Sequence, residues 1–294
     1  MRETEGFLRW VKSETNTDDY LKDFTPPQVA APLSVSVQDD RLVALDVAIP
    51  DGGPLDVLHA SFEHLASIIR RIEENGNLSN WDPFAQDKLR SVSETLSALT
   101  SSRTLDVKTC IRFGLDVESL RETVARSSEE LMPAISHEFS IFFLQANLAL
   151  QQLSPWQVFV QNAANLSWGQ NCSPGFSEAL KDVYERLMRA DDKFVDSEIK
   201  AYAASVTTSG QMDAPHTAGA TLSLRNILSA SIRFLLQART TAGKILEERA
   251  SEAFRNALSL MFEGMQYQLL TIAREYPSTM GWIEEAARMV GWIK

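Results

Sequence analysis

Residues 221–276 read TLSLRNILSASIRFLLQARTTAGKILEERASEAFRNALSLMFEGMQYQLLTIAREY. The stretch contains no proline, and its glycines are Gly243 and Gly264. Apolar residues recur in it three, four or seven positions apart, which is the spacing of one face of an α-helix. The pattern predicts one long helix, on the order of 80 Å if unbroken at 1.5 Å per residue. A helix of that length is stable only when its apolar stripe packs against other helices.

A break in this helix is the alternative, and residues 240–243 (Thr-Thr-Ala-Gly) are where the sequence places it. A broken helix would form two shorter antiparallel helices that pack within one domain. An unbroken helix is longer than one chain of 294 residues usually covers, so a second chain or a partner would bury its exposed apolar stripe. The unbroken helix is therefore the positive argument for association with other proteins.

Negative charge is concentrated in the front of the chain. The formal net charge is −11, and residues 1–150 hold 14 Lys/Arg against 24 Asp/Glu. The last third of the chain is close to neutral. Because an acidic surface repels phosphate backbones, nucleic-acid binding is not expected.

Two features bear on where the protein works. Residues 1–5 (Met-Arg-Glu-Thr-Glu) are charged and lack the apolar core of a signal peptide. Cys110 and Cys172 are too few for a disulfide framework or a zinc cluster. The sequence therefore predicts a cytoplasmic protein with reduced thiols.

Alternating apolar residues predict strands in the first part of the chain. Residues 33–37 and 43–49 alternate apolar with polar side chains on either side of the acidic turn Asp39-Asp40, which predicts a hairpin. Residues 105–113 alternate in the same way and predict a third strand. Because an isolated hairpin is marginally stable in water, the third strand makes a small antiparallel or mixed sheet credible.

Helical periodicity accounts for most of the remaining chain. Two helices, 54–74 and 82–101, are predicted between the hairpin and the third strand, where they would cover one face of the sheet. Residues 1–115 are expected to form a small α+β region in the order β-β-α-α-β, and residues 116–294 a helical bundle with the long helix. The fold class is therefore α+β, predominantly α-helical. Residues 206–220 lack periodicity and are rich in small residues, which predicts a flexible loop.

The best candidates for metal ligands are His59 and Glu63. They are four residues apart on a predicted helix, so they share a face and could hold one metal ion. His64 lies about 140° further round the helix and cannot easily join them. The arrangement matches neither helical metalloprotease pattern, so a solvated His–Glu pair on the surface is the simpler interpretation.

Other titratable residues offer no complete catalytic constellation. Cys110 is predicted on the polar face of a strand with Lys108 and Arg112, whose positive charges would lower the pKa of its thiol. His137 lacks a nucleophile or pocket identifiable from sequence. His216 falls in the predicted flexible loop, where a lone exposed imidazole is incidental. No catalytic residue, cofactor site or metal site is predicted beyond the His–Glu pair.

The last predicted helix carries candidates for an interaction surface. Trp282, Met289 and Trp292 lie on it and would either dock on a partner or bilayer or complete the helical core. Glu284, Glu285 and a shortage of basic residues argue against an anionic membrane.

The absence of a catalytic motif and the long helix together favour a non-catalytic assembly protein. It would act through helical packing, with another protein or copies of itself as the partner. One alternative is a membrane-active effector that uses residues 257–294 after their release from the bundle. The other is a metal-dependent hydrolase that uses His59 and Glu63.

Overall fold

The computed structural model describes residues 25–49, 55–75, 78, 81–102, 104–127, 131–164, 166, 173–208, 213–237 and 252–292. Within these ranges the chain is predominantly helical and has one antiparallel strand pair. The strands are β1 (Val35–Gln38) and β2 (Arg41–Ala44). The helices are α1 (Leu55–Asn75), α2 (Pro83–Ser101), α3 (Val107–Arg126), α4 (Pro133–Leu150), α5 (Ser154–Ala164), α6 (Pro174–Arg189), α7 (Ser197–Thr208), α8 (Ala214–Gln237), α9 (Glu252–Glu263), α10 (Gln266–Glu275), α11 (Pro277–Met280) and α12 (Trp282–Val290).

The predicted hairpin is confirmed. Strands β1 and β2 pair antiparallel, with Gln38 opposite Arg41. The two turn residues, Asp39 and Asp40, have φ values of 45° and 59°. A two-residue hairpin turn of this kind needs positive φ at both positions, and aspartate tolerates that conformation better than most residues. The local turn chemistry therefore fixes the register of the pair.

The predicted third strand is wrong, because residues 107–113 belong to helix α3. Asp106 caps this helix, and its carboxylate accepts hydrogen bonds from Thr109 N and Thr109 Oγ1, both at 2.7 Å. Only a short antiparallel bridge between Ala48 and Asp106 remains of the expected pairing within the described residues. Alternating apolar residues at 105–113 fit a strand when taken alone. The buried residues of α3 continue past Gly114 to Leu115 at helical spacing, and this longer pattern identifies the helix.

The single helix predicted for residues 221–276 is not observed. Helix α9 ends at Glu263, a turn follows at Gly264 and Met265, and α10 begins at Gln266. The alternative break near residues 240–243 lies outside the described residues. The flexible loop predicted for residues 206–220 is also mostly helical, since α7 continues to Thr208 and α8 begins at Ala214.

Buried apolar side chains form two clusters. The first core is built mainly by α1 to α5, and the second by the hairpin, α6, α7 and α9 to α12. Helix α8 contributes Ala218 and Leu222 to the first core and Leu224 and Ile227 to the second. The chain itself covers most of α8, so this helix has no long exposed stripe that needs a second chain. The division of the chain at residue 115 stays a prediction, and α3 runs through that position.

The extended segment that precedes β1 is bound to α8 through its backbone. Asn226 Oδ1 accepts a hydrogen bond from Val29 N at 2.9 Å. Asn226 Nδ2 donates to the carbonyl oxygens of Val29 at 2.9 Å and Leu33 at 3.0 Å. Ser229 Oγ donates to the carbonyl oxygen of Pro26 at 2.7 Å. Because Asn226 and Ser229 are buried, these bonds satisfy backbone groups that water cannot reach.

Replacing Gly114 with alanine should lower the free energy of unfolding by about 1–3 kcal/mol. A Cβ atom at this position would lie 2.2 Å from Cε3 of Trp156. The ring of Trp156 is buried and stacks on Phe159, so it cannot move away without displacing its neighbours. We expect this overlap to outweigh the roughly 1 kcal/mol that alanine gains over glycine inside a helix. Urea unfolding measures the difference.

The matched control is Gly175→Ala in the first turn of α6. A Cβ atom there meets no described atom within 4 Å, so the control should be neutral or stabilising by up to about 1 kcal/mol. Equal stability changes in the two variants would contradict a close approach between α3 and α5.

Candidate functional site

The metal-ligand candidates lie on the outer side of α1. His59 is partly exposed and Glu63 is exposed. Among the described residues, no group of three or more His, Cys, Asp or Glu side chains is placed to hold a metal ion. The metal-dependent hydrolase therefore gains no support from the geometry, and the pair remains a sequence-based candidate.

The environment of Cys110 differs from the expectation. The residue lies inside helix α3, buried in the first core, rather than on the polar face of a strand. Burial, with a smaller effect from the negative charge of Asp106, raises the pKa of its thiol to about 12. The predicted lowering of the pKa by Lys108 and Arg112 is therefore wrong, because desolvation of the thiolate dominates.

The predicted interaction residues of the last helix pack into the second core. Trp292 is buried and stacks on Phe262, with ring centroids 4.8 Å apart. Trp282 and Met289 are partly buried against the same core. These contacts favour the core interpretation, and a role for these residues in partner binding stays a prediction.

His216 is not an incidental exposed imidazole. It lies in the first turn of α8, between two carboxylates from different parts of the chain. Its Nδ1 is 2.7 Å from Asp213 Oδ1, and its Nε2 is 3.3 Å from Asp116 Oδ1 on α3. Asp213 precedes α8 and also accepts a hydrogen bond from His216 N at 3.0 Å. This N-cap positions the imidazole relative to the carboxylate.

Further side chains complete a buried polar network around these three residues. Lys88 Nζ, from α2, donates to Asp213 Oδ2 at 2.8 Å, and Ser119 Oγ donates to the same oxygen. Thr95 Oγ1 donates to Asp116 Oδ2 at 2.7 Å. The His216 network, defined by these six residues, joins α2 and α3 to the start of α8.

Two opposing effects determine the pKa values of His216, Asp116 and Asp213. Burial disfavours their charged forms, whereas hydrogen bonds and neighbouring opposite charges favour them. Burial opposes the cationic form of His216, but its bonds to Asp116 and Asp213 raise the pKa of the imidazole to about 9. Burial also opposes both carboxylate anions, yet His216 lowers the pKa of Asp116, and His216 with Lys88 holds the pKa of Asp213 well below its usual range. At neutral pH the network therefore contains two cations and two anions.

This arrangement does not have the geometry of a catalytic base. A protonated imidazole donates from both ring nitrogens, so neither has a lone pair that could accept a substrate proton. The Ser119 hydroxyl donates to Asp213 rather than to His216, so it is not activated as a nucleophile. Its two cations and two anions offset each other, so the network is a neutral, hydrogen-bonded junction between helices.

A cleft of about 370 Å³ opens beside the network. Its lining comes from α2, α3, α7, the first turn of α8 and the segment before β1. His216 contributes to the wall with about 30% of its side chain exposed, and Lys88 and Arg112 also line it. The cleft is within the volume range of small-molecule sites.

A second candidate surface lies on α4 and α5. Residues 139–177 contain no Asp, Glu, Lys, Arg or His, although 23% of the whole chain is charged. On α4, Leu144 and Leu148 are 60% and 48% exposed, and with Gln151 they follow one face at helical spacing. Gln151, together with Val160 of α5, lines a depression of about 540 Å³, and Glu118 of α3 also lines it. We use the name α4–α5 face for Leu144, Leu148, Gln151 and Val160 together with the neighbouring amides of Asn147, Gln157 and Gln161.

Comparison with known proteins supplies no functional assignment: no family model, curated protein or solved structure matches the chain. Among the residues that the structure describes, no helix combines the length and apolar character needed to cross a bilayer.

Two signals in the sequence indicate the His216 network and the α4–α5 face. The spacing Asp213-Ala-Pro-His216 fits an N-cap followed by proline in the first helical turn, which would have placed His216 on a helix. The run without charges at 139–177 marks the α4–α5 face. The pairing of His216 with Asp116 has no local signal, because exactly 100 positions separate the two residues.

Proposed function

We propose that the protein is a non-catalytic assembly protein that associates with a second copy of itself through the α4–α5 face. The observation that carries the proposal is that residues 139–177 contribute no charged side chain to that face in a chain of net charge −11. Two copies of an acidic protein repel each other wherever acidic surfaces meet. Residues 139–177 add nothing to that repulsion on the α4–α5 face.

The composition of the face also suits contact with an identical surface. In a two-fold symmetric dimer the same patch lies on both sides of the interface. Leu144, Leu148 and Val160 supply apolar area, and the neighbouring glutamine and asparagine amides each carry donors and acceptors that can pair with their own kind. Glu118 of α3 lines the same depression, and Arg121 lies 3.3 Å from its carboxylate and offsets its charge.

This proposal replaces the argument from an uncovered long helix, since α8 is covered by the chain itself. It keeps the expected mode of action, which is helical packing in the cytoplasm rather than catalysis. A membrane-active role for α9 to α12 has less support, because those helices bury most of their apolar side chains in the second core, with Leu260 and Tyr267 as exposed exceptions.

Light scattering at several protein concentrations tests the proposal. The wild-type chain should be a dimer in the upper concentration range. The double variant Leu144→Glu, Leu148→Glu should weaken association at least about 100-fold, because it places like charges opposite each other across the dimer axis. Both residues are exposed, so circular dichroism should show an unchanged helical fold.

Leu260→Glu is the matched control, since Leu260 is an exposed apolar residue, 69% accessible, on helix α9, which packs in the second core rather than the first. It should leave the dimer intact. A wild-type chain that stays monomeric at every concentration would overturn the proposal, and so would a double variant that associates as tightly as the control.

A further inference from the structure

The cleft beside the His216 network has features that the assembly function does not explain. Its described lining gathers three cationic side chains, Lys88, Arg112 and His216, in an otherwise acidic protein. Asp213 and Asp116 pair with Lys88 and His216 and offset their charges, so Arg112 is the cation of the lining that no carboxylate pairs with among the described residues. Asp87 also lines the cleft, and its carboxylate accepts a hydrogen bond from Arg90 at 3.0 Å.

Arg112 differs from the other arginines of α3. Arg121 pairs with Glu118 at 3.3 Å and donates to Asn147, and Arg126 pairs with Glu122 at 3.9 Å. The guanidinium of Arg112 has neither an ion pair nor a hydrogen bond with any of the described residues. An arginine in this position can present its planar donors to an oxyanion from outside the chain.

The remaining lining supplies a neutral donor and an apolar surface. The Tyr202 hydroxyl accepts a hydrogen bond from Ser223 at 3.2 Å. Burial raises the pKa of Tyr202 to about 12, so the hydroxyl keeps its proton and can donate it. Phe84, Leu115 and Val206 form apolar parts of the wall. A few converging polar groups on an apolar wall are what small-molecule sites generally present.

We propose that this cleft binds a small organic anion, with a carboxylate or phosphate group held by Arg112 near Lys88 and His216 and an apolar body against Phe84 and Leu115. The site is separate from the α4–α5 face, so it neither requires nor excludes self-association. Carboxylate and phosphate share the chemistry that the guanidinium recognises, and the test distinguishes them.

Isothermal titration calorimetry with benzoate, phenyl phosphate and neutral benzamide tests the proposal on the full chain at low salt. At least one of the two anions should bind with a Kd of about 1 mM or tighter, and benzamide at least about 10-fold more weakly. The tighter anion identifies the oxyanion class that the cleft prefers. Absence of binding by both anions would overturn the proposal.

Arg112→Gln should weaken binding of the tighter anion about 10- to 100-fold, because it removes a charge-assisted hydrogen bond. Arg112→Glu should abolish binding. The control Arg126→Gln removes the same charge from an exposed position of the same helix and should change the Kd less than about 2-fold. Circular dichroism checks that each variant is folded. An unchanged Kd in Arg112→Gln, or equal weakening in the Arg126 control, would contradict the site.

Discussion

Replacing His216 with glutamine should lower the free energy of unfolding by about 3–5 kcal/mol at neutral pH. Glutamine keeps a hydrogen-bond donor but removes the positive charge that lies between the buried carboxylates of Asp116 and Asp213. Lys88 alone would then face two anions. Urea unfolding followed by circular dichroism measures the loss. His137→Gln, at an exposed position of α4, is the control and should stay within about 0.5 kcal/mol of wild type.

The difference in unfolding free energy between wild type and His216→Gln should depend on pH. The pKa of His216 is about 9 in the folded chain and 6.5 in its unperturbed state. A raised pKa stabilises the folded state fully below the unfolded pKa, and the stabilisation disappears as the pH rises through about 9. The pKa difference between the folded and unfolded states corresponds to a stabilisation of about 3 kcal/mol, at 1.36 kcal/mol per pKa unit. The stability gap between wild type and His216→Gln should therefore narrow between about pH 6 and pH 10. A gap that does not change with pH would mean that His216 acts through packing alone.

Replacing Asn226 with alanine should lower the free energy of unfolding by about 3 kcal/mol or more. The change removes three hydrogen bonds and leaves Val29 N and the carbonyl oxygens of Val29 and Leu33 without their partner. Each buried backbone group left unpaired costs about 1–3 kcal/mol. Chemical unfolding measures the loss, and limited proteolysis between residues 25 and 35 shows whether the segment has left α8.

Ser231→Ala is the matched control for this prediction. Ser231 is also buried on α8, but its hydroxyl donates to the carbonyl oxygen of Ile227 within the same helix, at 2.8 Å. That carbonyl belongs to the helix ladder, so the control should cost less than about 1 kcal/mol. If Asn226→Ala were no more destabilising than Ser231→Ala, the bonds to the extended segment would contribute little to stability.

Elements defined by local chemistry were predictable from the sequence. The Asp39-Asp40 turn determines the hairpin, and apolar periodicity placed α1 and α2 within about two residues of their observed ends. Both signals depend on residues that are neighbours in the chain, so no tertiary information is needed to recognise them.

The errors come from patterns that fit two structures equally well. Between Leu105 and Phe113, β-branched residues alternate as in a strand, but the cap at Asp106 and the continued apolar spacing beyond Gly114 decide for a helix. Similarly, the small residues around His216 are typical of a loop, but Asp213 is the N-cap of α8, and His216 lies in the first turn of that helix. In both cases the capping residue is the deciding signal.

The candidate sites were harder to predict from the sequence than the fold. The His216 network joins three helices, and two of its hydrogen-bonded members, Lys88 and Asp213, are 125 positions apart, so no short motif can describe it. The α4–α5 face is different, because its lack of charge is visible in one continuous stretch of sequence. A search for chemical motifs does not detect it, since the informative property is the absence of a residue class.

The bonds between Asn226 and the segment before β1 have a consequence for the order of folding. The Val29–Asn226 bond joins groups 197 residues apart. Leu33, Val35 and Leu42 also belong to a core whose other buried members follow residue 175. During translation, the hairpin therefore emerges long before its packing partners. Such high contact order slows folding, because the entropy of closing a long loop must be overcome before the contacts form. The helices of the first core can assemble early, whereas completion of the second must await synthesis of the last helices.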